Sequence, residues 1–452
     1  KENLHDMDYI NERCEGFEEF RKTVEKYTPD LVAKICHINK DDLIKAARMY
    51  AKANKGALYY SMGITQHSSG TNGVRSTSNL QMLTGNVGFE STGINPLRGQ
   101  NNVQGACDMG ALPTDYTGYQ KVFIDPVRER MGEFWKRDLP DKKGLTITEM
   151  MDAANKGDLS FLYIMGENPM ISDPDQNHIR EALKKLDFLL VQDIFLSETA
   201  EFADVVLPAA SFAEKDGTFT NTERRIQRIN KAIDPIGDSK ADWQILMEIS
   251  TLLGYEEYYA DPSEIMDEIA GCTPSYGGIS YKRLRKESLQ WPCTNKDHPG
   301  TKYLHKNTMA RGKGLFVPID YEESKELPDE KYPLILTTGR MLYQYHTRTM
   351  TGKIEGLSEI AGKSYIEISP QTAKIYNIKN GEKIKVSSRR GSVESYAKVT
   401  EKINPGVVFM PFHYVDGPAN RLTNPTLDPI AKIPELKVAS VMIEKIERGS
   451  YV

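Results

Sequence analysis

Residues 159–195, LSFLYIMGENPMISDPDQNHIREALKKLDFLLVQDIF, contain the pattern that decides the fold. An apolar segment at 159–165 and another at 187–195 each predict a buried strand, and the stretch 175–186 between them predicts a helix. After a short helical stretch in SETAEFA, the segment 204–210 predicts a third strand. Continuous apolar strands that alternate with helices are typical of a parallel sheet covered on both faces, so this part of the chain is expected to be α/β.

The alternation extends upstream and stops downstream. Upstream, the sequence predicts a helix at 41–53, a strand entering a glycine-containing loop at 57–65, and a helix at 73–88 that ends at a glycine. Downstream, residues 213–325 predict two helices, near 240–254 and 262–270, within long polar loops.

From residue 331 onward the sequence is rich in predicted strands. RRG at 389–391 predicts a hairpin turn, and only SPQTAKIYNI, at 369–378, predicts a short helix. A separate C-terminal barrel-like domain fits this pattern. We therefore expect a multi-domain α/β fold, with doubly wound parallel-sheet cofactor domains and a C-terminal β-barrel-like domain. The predicted domain boundaries are 1–100, 101–212, 213–325 and 326–452.

The composition excludes several classes of protein. A net charge of −5 over 452 residues argues against a nucleic-acid partner, and no apolar run is long enough to predict a membrane span. The N-terminus is polar and acidic and shows no leader pattern. The expected location is the cytoplasm. The five cysteines are scattered, which predicts reduced thiols and no iron–sulfur cluster or metal site on this chain.

Four polar loops at the carboxyl ends of predicted strands are the candidate ligand-binding segments: 62–73, 95–113, 165–175 and 192–199. They are rich in glycine, amide and hydroxyl residues, which suits a large, flat, polar heterocycle with phosphates. Each has a simpler interpretation on its own. GENP can be only a turn, Asp173 and Asp193 can cap helices, and 95–113 can be a buried connection.

The run NPLRGQNNVQGACDMGALP at 95–113, with MGITQH upstream and MGENP and QDIF downstream, resembles the molybdopterin oxidoreductase superfamily. Within it, the run resembles the catalytic alpha subunits of formate dehydrogenases. LTTGRMLYQYHTRTMTG at 336–352 and the segment 412–437 resemble the C-terminal cofactor-binding domain of that family. The resemblance implies a molybdenum- or tungsten-dependent enzyme that interconverts formate and CO2 with two molybdopterin guanine dinucleotides.

The resemblance also implies roles for individual residues. Arg98, the one cation in the run at 95–113, matches the active-site arginine, and a guanidinium fork suits a carboxylate substrate. The residues that match cofactor-binding positions are Gln66, Gln100, Asn101, Asn102, Gly166, Glu167, Asn168, Asp173, Gln192, Asp193, Arg340, Gln344, His346, Arg348, His413, Asn420 and Lys437. Met341 and His346 depart from the formate dehydrogenase pattern, and His346 and His413 can also be structural histidines.

The family also carries an N-terminal [4Fe–4S] domain and a cysteine or selenocysteine metal ligand, neither of which this sequence contains. We therefore expect the chain to be the C-terminal part of such a subunit. Its expected partners are iron–sulfur electron-transfer subunits, with a hydrogenase or an NAD(P)-linked diaphorase as the wider complex. Two alternatives stay open. One is another family reaction, such as nitrate or S- or N-oxide reduction, and the other is a cofactor-free scaffold like the large subunit of complex I.

Overall fold

The computed structural model of the protein describes residues 1–446, and its N-terminal part consists of short helices around a small parallel sheet. The elements are α1 (Met7–Arg13), β1 (Cys14–Glu15), α2 (Phe17–Val24), α3 (Pro29–Cys36), α4 (Lys40–Ala51), β2 (Ala57–Tyr60), α5 (Met62–Thr65), α6 (Gly70–Leu83), β3 (Gly93–Pro96) and α7 (Val103–Asp108). Strand β2 pairs in parallel with β3, from Ala57 opposite Gly93 to Tyr60 opposite Pro96. The predicted strand thus ends at Tyr60, and the loop after it contains the helical turn α5.

The second part contains the three strands that the sequence predicts. Its elements are β4 (Asp115–Tyr116), β5 (Gln120–Lys121), α8 (Asp125–Trp135), α9 (Ile147–Lys156), β6 (Phe161–Met165), α10 (Pro169–Ser172), α11 (Gln176–Lys185), β7 (Phe188–Asp193) and β8 (Val205–Pro208). Strands β6, β7 and β8 form a parallel sheet in that order, which confirms the α/β prediction. A capping box between Thr146 and Glu149 starts α9, and Gly157 in the left-handed region ends it.

One face of this sheet is buried and the other is partly open. Ile164, Leu189 and Val191 pack with α9 and α11 in an apolar core. Side chains alternate along β6, so Phe161 and Met165 lie on the opposite face, where they are 50% and 49% exposed. These two side chains lie at the ends of β6, whereas Leu190 of β7, on the same face of the sheet, is 8% exposed, so this face is covered at its centre and partly open at the strand ends.

The third part has more strand than the sequence predicts. Its elements are β9 (Gly217–Thr220), β10 (Arg225–Ile229), α12 (Asp242–Leu252), α13 (Pro262–Cys272), α14 (Tyr281–Leu284), β11 (Leu289–Gln290) and β12 (Gly314–Leu315). The two predicted helices are confirmed as α12 and α13. Strands β11, β10 and β9 form an antiparallel sheet that the predictions omit, because the segments are short and RIQRI in β10 is mostly polar.

The C-terminal part is a closed barrel of six strands, as predicted. Its elements are β13 (Leu334–Gly339), α15 (Glu355–Ala361), β14 (Tyr365–Ile368), α16 (Pro370–Ile375), β15 (Lys383–Ser388), β16 (Gly391–Val399), β17 (Val407–Pro411) and β18 (Ala439–Lys445). The strands follow the order β13-β17-β14-β16-β15-β18, and the predicted hairpin turn joins β15 to β16. The predicted short helix is α16, whereas α15 is an additional helix. Residues 447–452 of the predicted domain 326–452 lie outside the described residues.

Alternation along the barrel strands fills its interior with aliphatic side chains. Ile366, Ile384, Val408 and Val441 are all fully buried in one apolar cluster. The barrel is thus a packed core, not an open channel, and its ligand-binding capacity lies in the loops outside it. Five 3-10 turns, at Thr117–Tyr119, Ala200–Phe202, Pro274–Tyr276, Thr351–Lys353 and Ala419–Arg421, lie within the connecting loops.

Candidate functional site

A cavity of about 520 Å³ lies between the α/β parts and the barrel, and we call it the first cavity. Most of its lining comes from the loops after β2, β3, β6, β13 and β17. It is lined by Ser61, Met62, Gly63, Gln66, Gly99, Ile147, Thr148, Glu167, Ser172, Asp173, Pro174, Thr338, Gly339, Arg340, His346, Phe412, Ile433, Pro434, Leu436 and Lys437.

A second cavity of about 500 Å³ adjoins the first and shares Glu167 and His346 with it. It is lined by Gln100, Asn101, Asn102, Val103, Ala106, Gly166, Glu167, Asn168, Gln192, Asp193, Ile194, Ala209, Ala210, Ser211, Phe212, Lys215, Phe219, Asp242, Tyr345, His346, Thr347, Thr349 and Met350. The two cavities together form one long cleft along the carboxyl ends of strands, where α/β sheets bind ligands.

Arg98 directly precedes two residues that line the cavities, one in each. It lines neither, but Gly99 lines the first and Gln100 begins the wall of the second. Its Nε donates to Gln104 Oε1 at 3.0 Å, and its backbone N–H donates to Thr222 Oγ1 at 3.3 Å. Within residues 1–446 neither terminal nitrogen of the Arg98 guanidinium makes a hydrogen bond. The two terminal nitrogens of this cation thus have no partner among the described residues and are available to an anion.

Glycine at position 99 allows a second guanidinium to approach the backbone. A Cβ at Gly99 would lie 2.8 Å from Arg340 Nη1, so a larger side chain would displace Arg340. Arg340 Nη2 in turn lies 3.5 Å from Gln100 Oε1. The two arginines therefore come from different domains and meet at one short loop.

The first cavity carries cations that suit phosphates. Burial lowers the pKa of Arg340, and burial together with Arg340 lowers the pKa of Lys437 to about 8. Lys437 Nζ donates to the Thr338 carbonyl at 2.6 Å, which holds the ammonium group against the end of β13. An anion that binds beside such a lysine raises its pKa back toward the ordinary value, so this wall favours phosphate ligands.

The opposite wall carries carboxyl groups. Burial, opposed by a 2.9 Å hydrogen bond from Ser172, raises the pKa of Asp173 to about 7, and burial also raises the pKa of Glu167. The Oδ2 atom of Asp173 is buried and has no hydrogen-bond partner among the described residues. An unpartnered buried carboxyl oxygen suits the N–H groups of a heterocyclic base, because it lacks only donors.

Two neutral histidines lie on the barrel side. Burial, reinforced by neighbouring arginines, lowers the pKa of His346 and of His413 to about 4. His346 lines both cavities and has a positive φ of 45°. His413 is fully buried beside Tyr414, lines neither cavity, and has no partner in residues 1–446 for either ring nitrogen. Its cofactor-binding role stays a prediction.

The lining of the second cavity includes amide side chains that are already held in place by hydrogen bonds. Asn168 donates to Glu198 at 2.7 Å and accepts from Thr199 at 2.8 Å, and Gln192 donates to Asp242 at 2.6 Å. Burial raises the pKa of Asp193. At the turn before Asn168, Gly166 has a φ of +63° and donates its N–H to the Gln192 carbonyl, which aligns the ends of β6 and β7.

Three other predicted cofactor residues lie outside both cavity linings. Gln344 donates to the Ala361 carbonyl, Arg348 donates to Ser358, and Asn420 donates to the carbonyls of Ile171 and Ser172. Their described contacts support the walls of the cleft. Direct contact with a cofactor stays a prediction for all three.

The predictions miss several lining residues. Lys215 forms an ion pair with Asp242 in the second cavity, and Tyr345 donates its hydroxyl to Asn101 at 2.7 Å across the domain junction. Lys215 follows the strand β8, so the rule of strand ends could have found it. No local signal distinguishes Tyr345 from the other tyrosines, because its role depends on a contact between residues far apart in sequence.

The architecture and the cleft define a class of protein that holds large, phosphorylated, heterocyclic ligands between α/β parts and a barrel. The residues fit a pterin dinucleotide, since cations, an unpartnered carboxyl oxygen and amide donors line a cleft of two cavities. Comparison with known families agrees. Residues 26–252 match the molybdopterin oxidoreductase model, and residues 334–440 match the molydopterin dinucleotide binding domain. The chain belongs to the molybdopterin oxidoreductase family.

Individual relatives are similar over nearly the whole chain. The F420-dependent formate dehydrogenase subunit alpha of Methanocaldococcus jannaschii is 52% identical over 99% of this chain and 66% of that protein. Formate dehydrogenase H of Escherichia coli is 40% identical over 99% of this chain and 63% of that protein. The chain thus spans about two thirds of the length of these curated relatives.

A solved structure supports the fold. Acetylene hydratase from Pelobacter acetylenicus superposes with a TM-score of 0.75 at 17% identity, covering 98% of this chain and 68% of that one. In the described part of this chain, no helix combines the length and the apolar character that a membrane crossing requires.

Proposed function

We propose that the chain forms the cofactor-binding part of a formate dehydrogenase, which interconverts formate and CO2. The observation that carries this proposal is that Arg98 adjoins Gly99 and Gln100, which line the first and the second cavity, and that its terminal nitrogens make no hydrogen bond to the described residues. The similarity to formate dehydrogenase alpha subunits supports the same substrate.

Oxidation of formate breaks one C–H bond and yields CO2, one proton and two electrons. When the pterin cofactor is bound, its metal centre accepts the two electrons. The contribution of this chain is to bind and orient the carboxylate. The planar fork of Arg98 matches a carboxylate with two parallel hydrogen bonds, and the guanidinium keeps its charge at every relevant pH. With both substrate oxygens fixed, the C–H bond has one defined direction.

We propose that each cavity would hold one molybdopterin guanine dinucleotide of a cofactor that carries molybdenum or tungsten. In the first cavity, Arg340 and Lys437 bind phosphate oxygens, while Asp173 accepts N–H groups of the guanine. In the second cavity, Lys215 binds phosphate oxygens, while the side-chain amides of Asn101 and Asn102 form hydrogen bonds with the dinucleotide. Two adjoining cavities of similar volume support this assignment. A [4Fe–4S] cluster next to the pterin completes the proposed enzyme, held by a part of the enzyme other than residues 1–446.

The proposed electron acceptors are iron–sulfur subunits of a cytoplasmic complex. Three relatives with 47% to 52% identity are named F420-dependent, which favours F420 as the final acceptor over a hydrogenase or an NAD(P)-linked diaphorase. An assay that compares the reduction of F420 with the reduction of NAD and NADP, using the purified complex, tests this choice.

The alternatives explain the cleft less well. A reductase of neutral S- or N-oxides has no need for a guanidinium fork, and the similarity to relatives named formate dehydrogenases favours formate over nitrate. A cofactor-free scaffold has no use for two cavities with a buried, unpartnered carboxyl oxygen and a buried lysine. The likeness to acetylene hydratase, at 17% identity, concerns the fold alone.

The test uses the intact enzyme, loaded with metal and pterin. We expect formate-dependent reduction of a viologen dye, with no turnover when nitrate or trimethylamine N-oxide is offered to the reduced enzyme. Metal and pterin analysis on the same sample checks loading. A loaded enzyme that reduces nitrate and leaves formate unchanged contradicts the proposal, and an enzyme that carries no pterin points to the scaffold.

A further inference from the structure

We infer that Asp108 is a positioning residue for Arg98, acting through the side-chain amide of Gln104. This inference rests on the proposed role of Arg98 in binding formate. The three residues form a chain of hydrogen bonds: Gln104 Oε1 accepts from Arg98 Nε at 3.0 Å, and Gln104 Nε2 donates to Asp108 Oδ1 at 2.7 Å. No motif assigns a role to Asp108.

The surroundings of Asp108 show that it acts as a fixed acceptor. It is fully buried, and each carboxylate oxygen accepts two hydrogen bonds. Oδ1 accepts from Gln104 and from the Tyr119 hydroxyl at 2.9 Å. Oδ2 accepts from the Tyr276 hydroxyl at 2.7 Å and from Trp291 Nε1 at 2.6 Å. All four donors are neutral, so this buried carboxylate is held by hydrogen bonds and not by an ion pair.

The hydrogen bonds of the network determine which way the amide of Gln104 points. A carboxylate only accepts, so the Gln104 NH2 group must face Asp108, where it also donates to the Tyr119 oxygen at 2.8 Å. Arg98 Nε–H only donates, so the Gln104 oxygen must face Arg98. The amide therefore has one orientation that satisfies both of its neighbours.

The orientation of the amide determines the orientation of the guanidinium. Nε and the two terminal nitrogens of an arginine share one plane, so a hydrogen bond from Nε fixes both the plane and the direction of the fork. Gln104 and Asp108 lie four residues apart on α7, hence on one face of that helix. Asn102, at the start of α7, accepts from the Thr220 backbone N–H at 3.0 Å, which anchors the helix to β9.

The substitution Asp108→Asn tests the inference because it changes no shape. Trp291 Nε1 can only donate, so the oxygen of the introduced amide takes the place of Oδ2 and its NH2 group takes the place of Oδ1. Gln104 must then turn its oxygen toward that NH2 group. The NH2 group of Gln104 then faces Arg98 Nε–H. Because two donors repel each other, the guanidinium moves away from its present position. We expect kcat/KM for formate to fall by about tenfold to a hundredfold at unchanged metal and pterin content.

The double variant Gln104→Glu with Asp108→Asn should restore activity. One oxygen of the carboxylate introduced at position 104 accepts from Arg98 Nε, while the other accepts from the NH2 group introduced at position 108. Tyr276 and Trp291 keep their acceptor. Gln104→Glu alone places two carboxylates in contact and should lose activity as well. Recovery of at least about fivefold in the double variant, relative to Asp108→Asn, is the result that only a positioning role predicts.

Asp428→Asn is the matched control. Asp428 is also a buried carboxylate that accepts hydrogen bonds from neutral groups, among them the N–H and hydroxyl of Thr71. We expect this variant to lose thermal stability as Asp108→Asn does, while kcat/KM per bound pterin stays within about twofold of the original value. If Asp108→Asn also stays within twofold, or if the double variant recovers nothing, Asp108 is structural and the inference is overturned.

A structure of the Asp108→Asn protein separates this inference from the proposed function. We expect the contact between Arg98 Nε and residue 104 to open from its present 3.0 Å, whatever the substrate is. An unchanged guanidinium position overturns the positioning role even in an active formate dehydrogenase. A displaced guanidinium in a protein that never oxidises formate supports the positioning role and removes the proposed function instead.

Discussion

At the scale of single residues, the proposal that formate is the substrate depends on Arg98. Arg98→Lys keeps a positive charge but loses the planar fork, so we expect kcat/KM for formate to fall by about tenfold to a hundredfold, equivalent to one charged hydrogen bond. Arg98→Ala leaves the carboxylate of formate without a partner and should lower kcat/KM by about a thousandfold. Steady-state formate kinetics on both variants, beside their metal and pterin content, provides the measurement.

A structural arginine predicts a different pattern of results. If Arg98 only supported its loop, both variants would lose stability and cofactor together, and the turnover of each remaining loaded molecule would be unchanged. Near-normal formate oxidation by Arg98→Ala at full metal occupancy therefore removes the residue from the mechanism.

Asp173 gives a second prediction at this scale, concerning the cofactor-free protein. Its folded-state pKa of about 7 lies above the ordinary value of 3.8. A raised carboxyl pKa contributes stability that is fully present below about pH 4 and is lost as the pH rises through about 7. The free energy of unfolding of the original protein should therefore fall as the pH rises from about 5 to about 8, and we expect it to fall less in Asp173→Asn. Denaturant titrations of both proteins, run in parallel at several pH values, measure this difference in the free energy of unfolding.

Only the difference between the two proteins is informative for Asp173. His346 and His413 have lowered pKa values, so their contributions fall as the pH drops and oppose the Asp173 trend in both proteins alike. Identical pH profiles for the original protein and Asp173→Asn are the outcome that contradicts a raised carboxyl pKa in the empty cleft.

At the scale of elements, Asn420 joins the barrel to the α/β part. Its Nδ2 donates to the carbonyls of Ile171 and Ser172, at the end of α10, at 2.9 and 3.0 Å. Asn420→Ala leaves both carbonyls without this donor, which costs about 1–3 kcal/mol. We expect a lower melting temperature together with faster loss of pterin on dialysis. Thr423→Ala, which removes a buried hydrogen bond within the barrel loop, should lower stability alone.

Local signals in the sequence are sufficient to predict most elements. The apolar runs at 159–165 and 187–195 predict β6 and β7, and RRG at 389–391 predicts the β15–β16 turn, because each depends on a few adjacent residues. The sequence does not predict the antiparallel sheet of β9, β10 and β11, because β10 pairs with β11, which lies more than sixty residues away along the chain. Such pairing leaves no periodicity in a short polar strand.

The site is predictable only as far as motifs extend. Glu167, Asp173, Arg340 and Lys437 line the first cavity, while the cofactor-binding role that the resemblance implies for them stays a prediction. Gln344 and Asn420 instead hydrogen-bond to backbone carbonyls outside both linings, because a motif preserves a residue type without stating which way its side chain points. No sequence signal marks Asp108, because its four donors come from segments as far apart as Gln104 and Trp291.

At the scale of the whole molecule, the cleft exists only because the barrel closes against the α/β parts. Arg340 and Lys437 come from the barrel, whereas Glu167 and Asp173 come from the loop after β6. Neither part alone places cations opposite carboxyl groups. Two cavities of about 520 and 500 Å³ then share Glu167 and His346, so both proposed cofactor positions depend on one domain arrangement.

This arrangement predicts that the loaded enzyme releases two guanosine nucleotides per chain on acid hydrolysis, one from each cavity. Lys437→Met removes a cation of the first cavity without changing the side-chain length much, and should lower the amount released toward one. Lys383→Met, at an exposed lysine on β15 that pairs with Glu394, is the control and should release the original amount. Chromatography measures the released nucleotide, and its ratio to the protein concentration gives the number of nucleotides per chain. One nucleotide per chain in the unmodified, fully metal-loaded enzyme would show that one of the two cavities holds something other than a pterin dinucleotide.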